Sequence, residues 1–261
     1  MRLRRSFGPA RSNPFDPFLL FDHFSFKDPN EGPISGFPMH PHRGIETVTY
    51  MLEGSTHHRD SLGNAGLIGP GDVQWMTSGR GIMHEEMPRR GPDGAISGFQ
   101  LWVNLPAKLK MTEPRYQEVS AETIPQVTRD GVTVRVVAGE IWRTPGPVTE
   151  IAASPIYLDV SVGAGAEFRQ QVAPGHTALA YVFEGAGRFG ADDEPVETAC
   201  MIAFGDGDEV EARSETGLRF LLLAGAPFGE PIVPYGPFVM NTVEEIQQAL
   251  LELRQGTFIK Q

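Results

Sequence analysis

The chain has a single cysteine, Cys200, among 261 residues. No intramolecular disulfide can form, and a disulfide-stapled secreted scaffold is excluded. No apolar run approaches the eighteen or so residues that a membrane-crossing helix requires. Arg2, Arg4 and Arg5 open the chain without the apolar stretch of a signal peptide behind them. Positive charge is also short. The 22 Lys and Arg face 33 Asp and Glu, a net charge of −11, which opposes non-specific attraction to phosphate. These deficits point to a soluble, cytoplasmic protein with no direct nucleic-acid or membrane partner. Helical periodicity is scarce as well, and shows only after Asn241.

What remains is ample for a folded core, with 40% hydrophobic and 21% charged residues. The 30 glycines and 22 prolines are spread along the whole length, the pattern of short strands joined by tight turns. Glu46–Gly54 alternates and stops at glycine, Pro70-Gly71-Asp72 signals a turn before the strand Val73–Thr77, and Gly98–Leu105 and Gly131–Glu140 read alike. Such spacing without intervening helices predicts β-sandwiches or barrels. Leu105–Val127, poor in apolar residues and interrupted by proline, reads as an interdomain connection. At the end, Asn241 or Thr242 can cap a helix. Glu244 and Glu245 fall in its first turn, Ile246, Leu250 and Leu253 on one face, and Gly256 at its stop. This helix is expected to pack outside a barrel. A short repeat supports two similar β domains: Tyr50-Met51-Leu52-Glu53-Gly54 recurs as Tyr181-Val182-Phe183-Glu184-Gly185, and Gly71-Asp72-Val73 has a looser echo at Gly207-Asp208-Glu209-Val210.

Two patterns carry chemistry: His40-Pro41-His42 and His84-Glu85-Glu86. In a strand, residues i and i+2 point to the same side. His40 and His42 therefore share a face, as do His84 and Glu86, while Glu85 turns away. Brought together inside a barrel, three imidazoles and a carboxylate suit a divalent transition metal with positions left open. Closed structural zinc sites favour thiolates, and none is present there. Glu46 shares the parity of His42. Four residues at ~3.3 Å each place it about 13 Å along a straight strand, although a bend at Gly44 would bring it nearer. Glu86 needs no bend and is preferred. His57 and His58 are assigned to a turn or the next strand, His23 and His176 to structural or exposed positions, and Trp75, Trp102 and Trp142 to core packing.

The blocks FPMHPHRGIETVTYMLEG and GPGDVQWMTSGRGIMHEEMP closely resemble the signature region of the pirin family, a branch of the bicupins. DPFLLFDHF (Asp16–Phe24) and GPFVMNTVEEI (Gly236–Ile246) extend the likeness from Arg4 to about Gln255. The resemblance implies an all-β fold of two face-to-face cupin-type β-barrels with a C-terminal α-helix. The divisions are 1–125 for a metal-binding barrel with its linker, 126–240 for a metal-free barrel and 241–261 for the helix. It implies Fe(2+), or another divalent transition metal, on His40, His42, His84 and Glu86. It further implies cleavage of a flavonol such as quercetin, with O2 consumed and carbon monoxide released, and Glu86 as the candidate acceptor of the substrate's hydroxyl proton. Other members of the family act as regulators through protein partners, which is the alternative expectation. Family members often carry a strand before the equivalent of Arg4, where this sequence has only three residues; the two expectations are a first barrel that lacks this strand or a misassigned start. The repeat carries His40 and His42 onto Gln171 and Ala173, and His84 and Glu86 onto Phe220 and Leu222, which cannot rebuild the site.

Overall fold

The structure, a computed structural model, describes residues 3–26 and 35–260. The chain is mostly β and divides into two compact units. One comprises residues up to Ala121 together with those from Phe228, and the other spans Glu122–Pro227. Among the described residues no helix is long and apolar enough to cross a membrane.

In the first unit the strands are β1 (Leu3–Phe7), β2 (Phe18–Phe26), β3 (Phe37–His42), β4 (Ile45–Glu53), β5 (Ser55–Asp60), β6 (Ala65–Ile68), β7 (Val73–Thr77), β8 (Ile82–Arg89), β9 (Ile96–Asn104) and β10 (Arg115–Val119). They form a six-stranded sheet in the order β1-β2-β9-β4-β7-β10 and a four-stranded sheet in the order β3-β8-β5-β6. β4 is rich in β-branched side chains and is buried on both faces from Ile45 to Met51. Such a segment fits a central strand because stiff branched side chains pack well on a pleated surface. The chain changes sheets at Gly44, whose φ of +78° an L side chain rarely adopts. β3 and β4 are therefore separate strands, and the single straight strand assumed in placing Glu46 does not exist.

The segment Leu105–Val127 is more structured than its composition indicated. Residues to Ala121 belong to the first unit, and β10 pairs with β7 from Arg115↔Thr77 to Val119↔Val73. Pairing to a neighbouring edge supplied what local hydrophobicity did not. The second compact unit likewise ends at Pro227 rather than at 240. The hairpin Val233–Tyr235/Phe238–Met240 and the helix α1 (Val243–Gln255) both count with the first unit.

Thr242 caps α1 by accepting from the Glu245 amide while the Glu245 side chain accepts from the Thr242 amide, and Gly256 ends it in the left-handed region. Its buried stripe is Ile246, Ala249 and Glu252, with Leu250 and Leu253 partly buried beside it. The buried glutamate is the departure from the expected face.

In the second unit the strands Val132–Ala138, Ile156–Val162, Leu218–Gly225 and Thr177–Phe189 lie side by side in that order within a nine-stranded sheet. Their inward residues make an apolar core that includes Phe168, Phe189, Phe220 and Leu222. Phe220 meets Phe168 and Phe189 edge-on at 5.5 and 5.2 Å, the arrangement ring quadrupoles favour.

Candidate metal centre

β8 lies between β3 and β5, and its register does the assembling. His40 stands opposite His84 across β3 and β8. Across β8 and β5, Asp60 stands opposite His84 and His58 opposite Glu86. Directly opposed Cβ atoms in a sheet lie about 5 Å apart, so neighbouring strand positions bring three imidazoles together. Ring centroids are 4.3 Å apart for His40 and His84, 4.9 Å for His40 and His42, and 5.0 Å for His42 and His84. One ring nitrogen from each lies within 4.8 Å of the others.

The hydrogen bonds fix what these rings can bind. His40 Nδ1 donates to the Pro38 carbonyl at 2.9 Å, and His42 Nδ1 donates to the Pro237 carbonyl at 3.1 Å. A neutral imidazole carries one N–H, so both Nε2 atoms present lone pairs. Those two atoms face each other at 3.2 Å, close enough for one ion beside them to bond both and too close for an ion to fit directly between them. His84 is 0% exposed, and neither of its ring nitrogens finds a hydrogen-bond partner among the described residues. An unpaired buried polar atom is costly, and a metal ligand bond removes the cost. Burial, reinforced by the neighbouring imidazoles, pushes His42 down to about 3 and His84 well below the ordinary histidine range. His42 and His84 are thus neutral, the form that coordinates. On these observations the residues fit a transition metal.

Glu86 is buried and accepts from Thr49 Oγ1 at 2.8 Å. It lines the same cavity as His40 and His42, while the close group of ring nitrogens comprises the three histidines. Burial raises its pKa above the usual carboxylate range, opposed by the Thr49 hydrogen bond. Glu85 turns away and accepts from Arg59 Nε. Glu46 stands elsewhere: β4 alternates, Glu46 has the opposite parity to Thr49, and its carboxylate accepts from Trp75 Nε1 at 3.1 Å and Thr77 Oγ1 at 2.7 Å. The cavity, about 100 Å3, is walled by Leu20, Phe24, Phe37 and Trp102, with Arg5 and Gln100 as polar members. Trp102 meets His42 edge-on at 5.1 Å, so it is a wall of the site as well as a packed side chain, unlike the core role expected for it.

His58 lies in the next strand, as expected, but the sequence reading did not place it beside the histidine group. It is buried, its Nε2 lies 3.2 Å from Asp60 Oδ2, its ring stacks on Tyr116 at 4.8 Å, and it lies 5.5 Å from His84. The signal was present as His58-Arg59-Asp60, the same i, i+2 parity that selected His84 and Glu86. His57 points to the other side and is half-buried. His23 packs against Phe99 at 4.8 Å, and His176 lies in the second unit. Gln171 and Ala173 are exposed, whereas Phe220 and Leu222 sit in that unit's apolar core.

The sequence profile of the family described as Pirin matches residues 1–103, and that of the Pirin C-terminal cupin domain matches residues 157–259. A pirin-like protein of Caulobacter vibrioides is 46% identical over 260 residues, covering 99% of this chain and 93% of that protein. Pirin of Homo sapiens is 45% identical over 263 residues, covering 98% and 87%. Among solved structures, a quercetin 2,3-dioxygenase from Acinetobacter baumannii superposes with a TM-score of 0.83 at 38% identity, covering 94% of this chain and 86% of that one.

Proposed function

We propose, since the chain belongs to the pirin family, that it is an iron-dependent dioxygenase that opens the heterocyclic ring of a flavonol such as quercetin, consuming O2 and releasing carbon monoxide. The observation that carries this reading is the pair of imidazole nitrogens at 3.2 Å beside the buried His84, whose ring nitrogens have no hydrogen-bond partner among the described residues. The likeness to a quercetin 2,3-dioxygenase structure supports the substrate class.

His40, His42 and His84 would hold the ion, with Glu86 completing the set. Fe(II) there supplies Lewis acidity toward a substrate hydroxyl and an electron source for O2. The chain's own residues do the rest. Glu86 takes the hydroxyl proton, being the buried glutamate that lines the same cavity as His40 and His42. Thr49 holds one carboxylate oxygen and so orients the other for that transfer. Phe24, Phe37 and Trp102 give a flat aromatic ligand apolar surfaces to lie against and keep water from the reacting ring.

Glu86→Gln tests the assignment. It keeps the side chain's size but removes the proton acceptor, and flavonol turnover should fall at least ~10²-fold. Turnover near the wild-type rate in an iron-loaded Gln variant would remove Glu86 from the mechanism.

A further inference from the structure

Arg43 follows the ligand His42 directly, yet it is 1% exposed. A buried guanidinium must have its charge and donors met. Its Nε donates to the Arg80 carbonyl at 2.6 Å, its Nη2 meets Glu252 Oε2 of α1 at 2.5 Å, and its Cζ lies 4.4 Å over the Phe258 ring. Glu252 is in turn held by Gln248 Nε2 at 2.9 Å and Lys260 Nζ at 3.3 Å. The backbone is stitched at the same place. Arg43 bridges Phe238, and the Val239 amide donates to the Arg43 carbonyl at 3.2 Å. Lys110 Nζ ties the carbonyls of Gly44 and Val239 together, at 2.8 Å each. The carbonyl that sets the His42 tautomer, Pro237, belongs to this same segment. Residues 42–44 are thus fastened one after another to residues 237–239, and the only side-chain anion meeting the buried Arg43 among the described residues comes from α1.

We infer that Glu252 is a positioning residue for the metal centre: through Arg43 it holds the loop that aims His42 at the ion. The inference rests on the metal-site reading given above. Without Glu252 the Arg43 guanidinium is left buried and unpaired. It then moves toward water, carries the 42–44 loop with it, and loosens the His42–Pro237 bond.

The test uses the full chain and Co(II), measured by competition with a chromophoric chelator and by the visible absorption of bound cobalt, which reports ligand geometry without turnover. Glu252→Gln should weaken Co(II) binding about 10-fold, the lower end for outer partners of metal ligands, and shift the cobalt bands. Thr242→Ala removes the helix cap without touching Arg43 and should leave affinity and spectrum as in the wild type. Should Glu252→Gln fail to fold, Phe258→Leu removes the ring beneath the guanidinium and should shift both readouts in the same direction by a smaller amount. Wild-type affinity and spectrum in Glu252→Gln or in Phe258→Leu would overturn the inference. Equal changes in Thr242→Ala at a matched loss of Tm would also do so. No cobalt uptake by the wild type would defeat the metal-site reading itself, whereas normal uptake with an unaltered variant would defeat only the role of Glu252.

Discussion

His40 and His42 show how a backbone carbonyl decides what a side chain binds: each spends its one N–H on a proline carbonyl and keeps Nε2 for a ligand. His84 contributes by having nothing else to bond among the described residues. His84→Ala should therefore lose most iron during purification, while His57→Ala, on the opposite face, retains it. His58→Ala should also retain it, because its Nε2 is engaged by Asp60. Equal iron content in the His84 and His57 variants would dismiss the ligand set. Glu46 gives a separate prediction. Burial holds it up at about 7, against 4.5 for an exposed glutamate, despite bonds from Thr77 and Trp75. Between those values the unfolded chain releases a proton that the folded chain keeps, so stability falls as pH rises through that window. Glu46→Gln removes this loss. Its Tm should decline less than that of the wild type between about pH 5 and about pH 7.5, and its iron content should not change. Parallel Tm slopes would show that Glu46 does not titrate in this way. Parity grouped His40 with His42 and His84 with Glu86 in the sequence, because i, i+2 geometry is local. It could not reveal the carbonyl of Pro237, which arrives from 195 residues away.

At the scale of elements, the turn at Gly44 separates the strand that carries His40 and His42 from the strand that carries Glu46. Its φ is +78°, and a Cβ there would run into the Val239 carbonyl and the Met240 sulfur. Gly44→Ala combines a disfavoured backbone with a clash and should cost more than ~1 kcal/mol, read from the urea midpoint. A midpoint equal to that of the wild type would mean that the two sheets can rejoin without the left-handed turn. The strands Val73–Thr77 and Ile45–Glu53 were legible because β-branched runs ended at Gly or followed Pro-Gly-Asp. β10 was not, since Arg115–Val119 becomes a strand by pairing with β7 and has little apolar pattern of its own. The C-terminal helix was legible in its caps, which are local. Glu252 was not legible as a buried residue, because its reason for burial is Arg43, far away in sequence.

At the scale of the whole chain, two β units were readable from a short repeat, but their boundaries were not, because residues from Phe228 onward return to the first unit and composition records no such return. The two units also differ in what fills them. In the first, histidines and two carboxylates, Asp22 and Glu86, line a cavity, whereas in the second Phe220 and Leu222 occupy an apolar core. Iron should therefore bind at a single equivalent per chain, and a second equivalent that survives gel filtration would show that the second unit holds a site. The most direct measurement of the central claim starts from iron-loaded protein under anaerobic conditions. Quercetin is added, O2 is then admitted, and O2 consumed and carbon monoxide released are followed together. The account predicts a new absorption band on quercetin binding and carbon monoxide appearing in step with O2 uptake in the wild type, with neither in His84→Ala. Full iron occupancy with no quercetin-induced band and no O2 uptake would contradict it, and would leave iron-dependent binding of a protein partner as the function of the site.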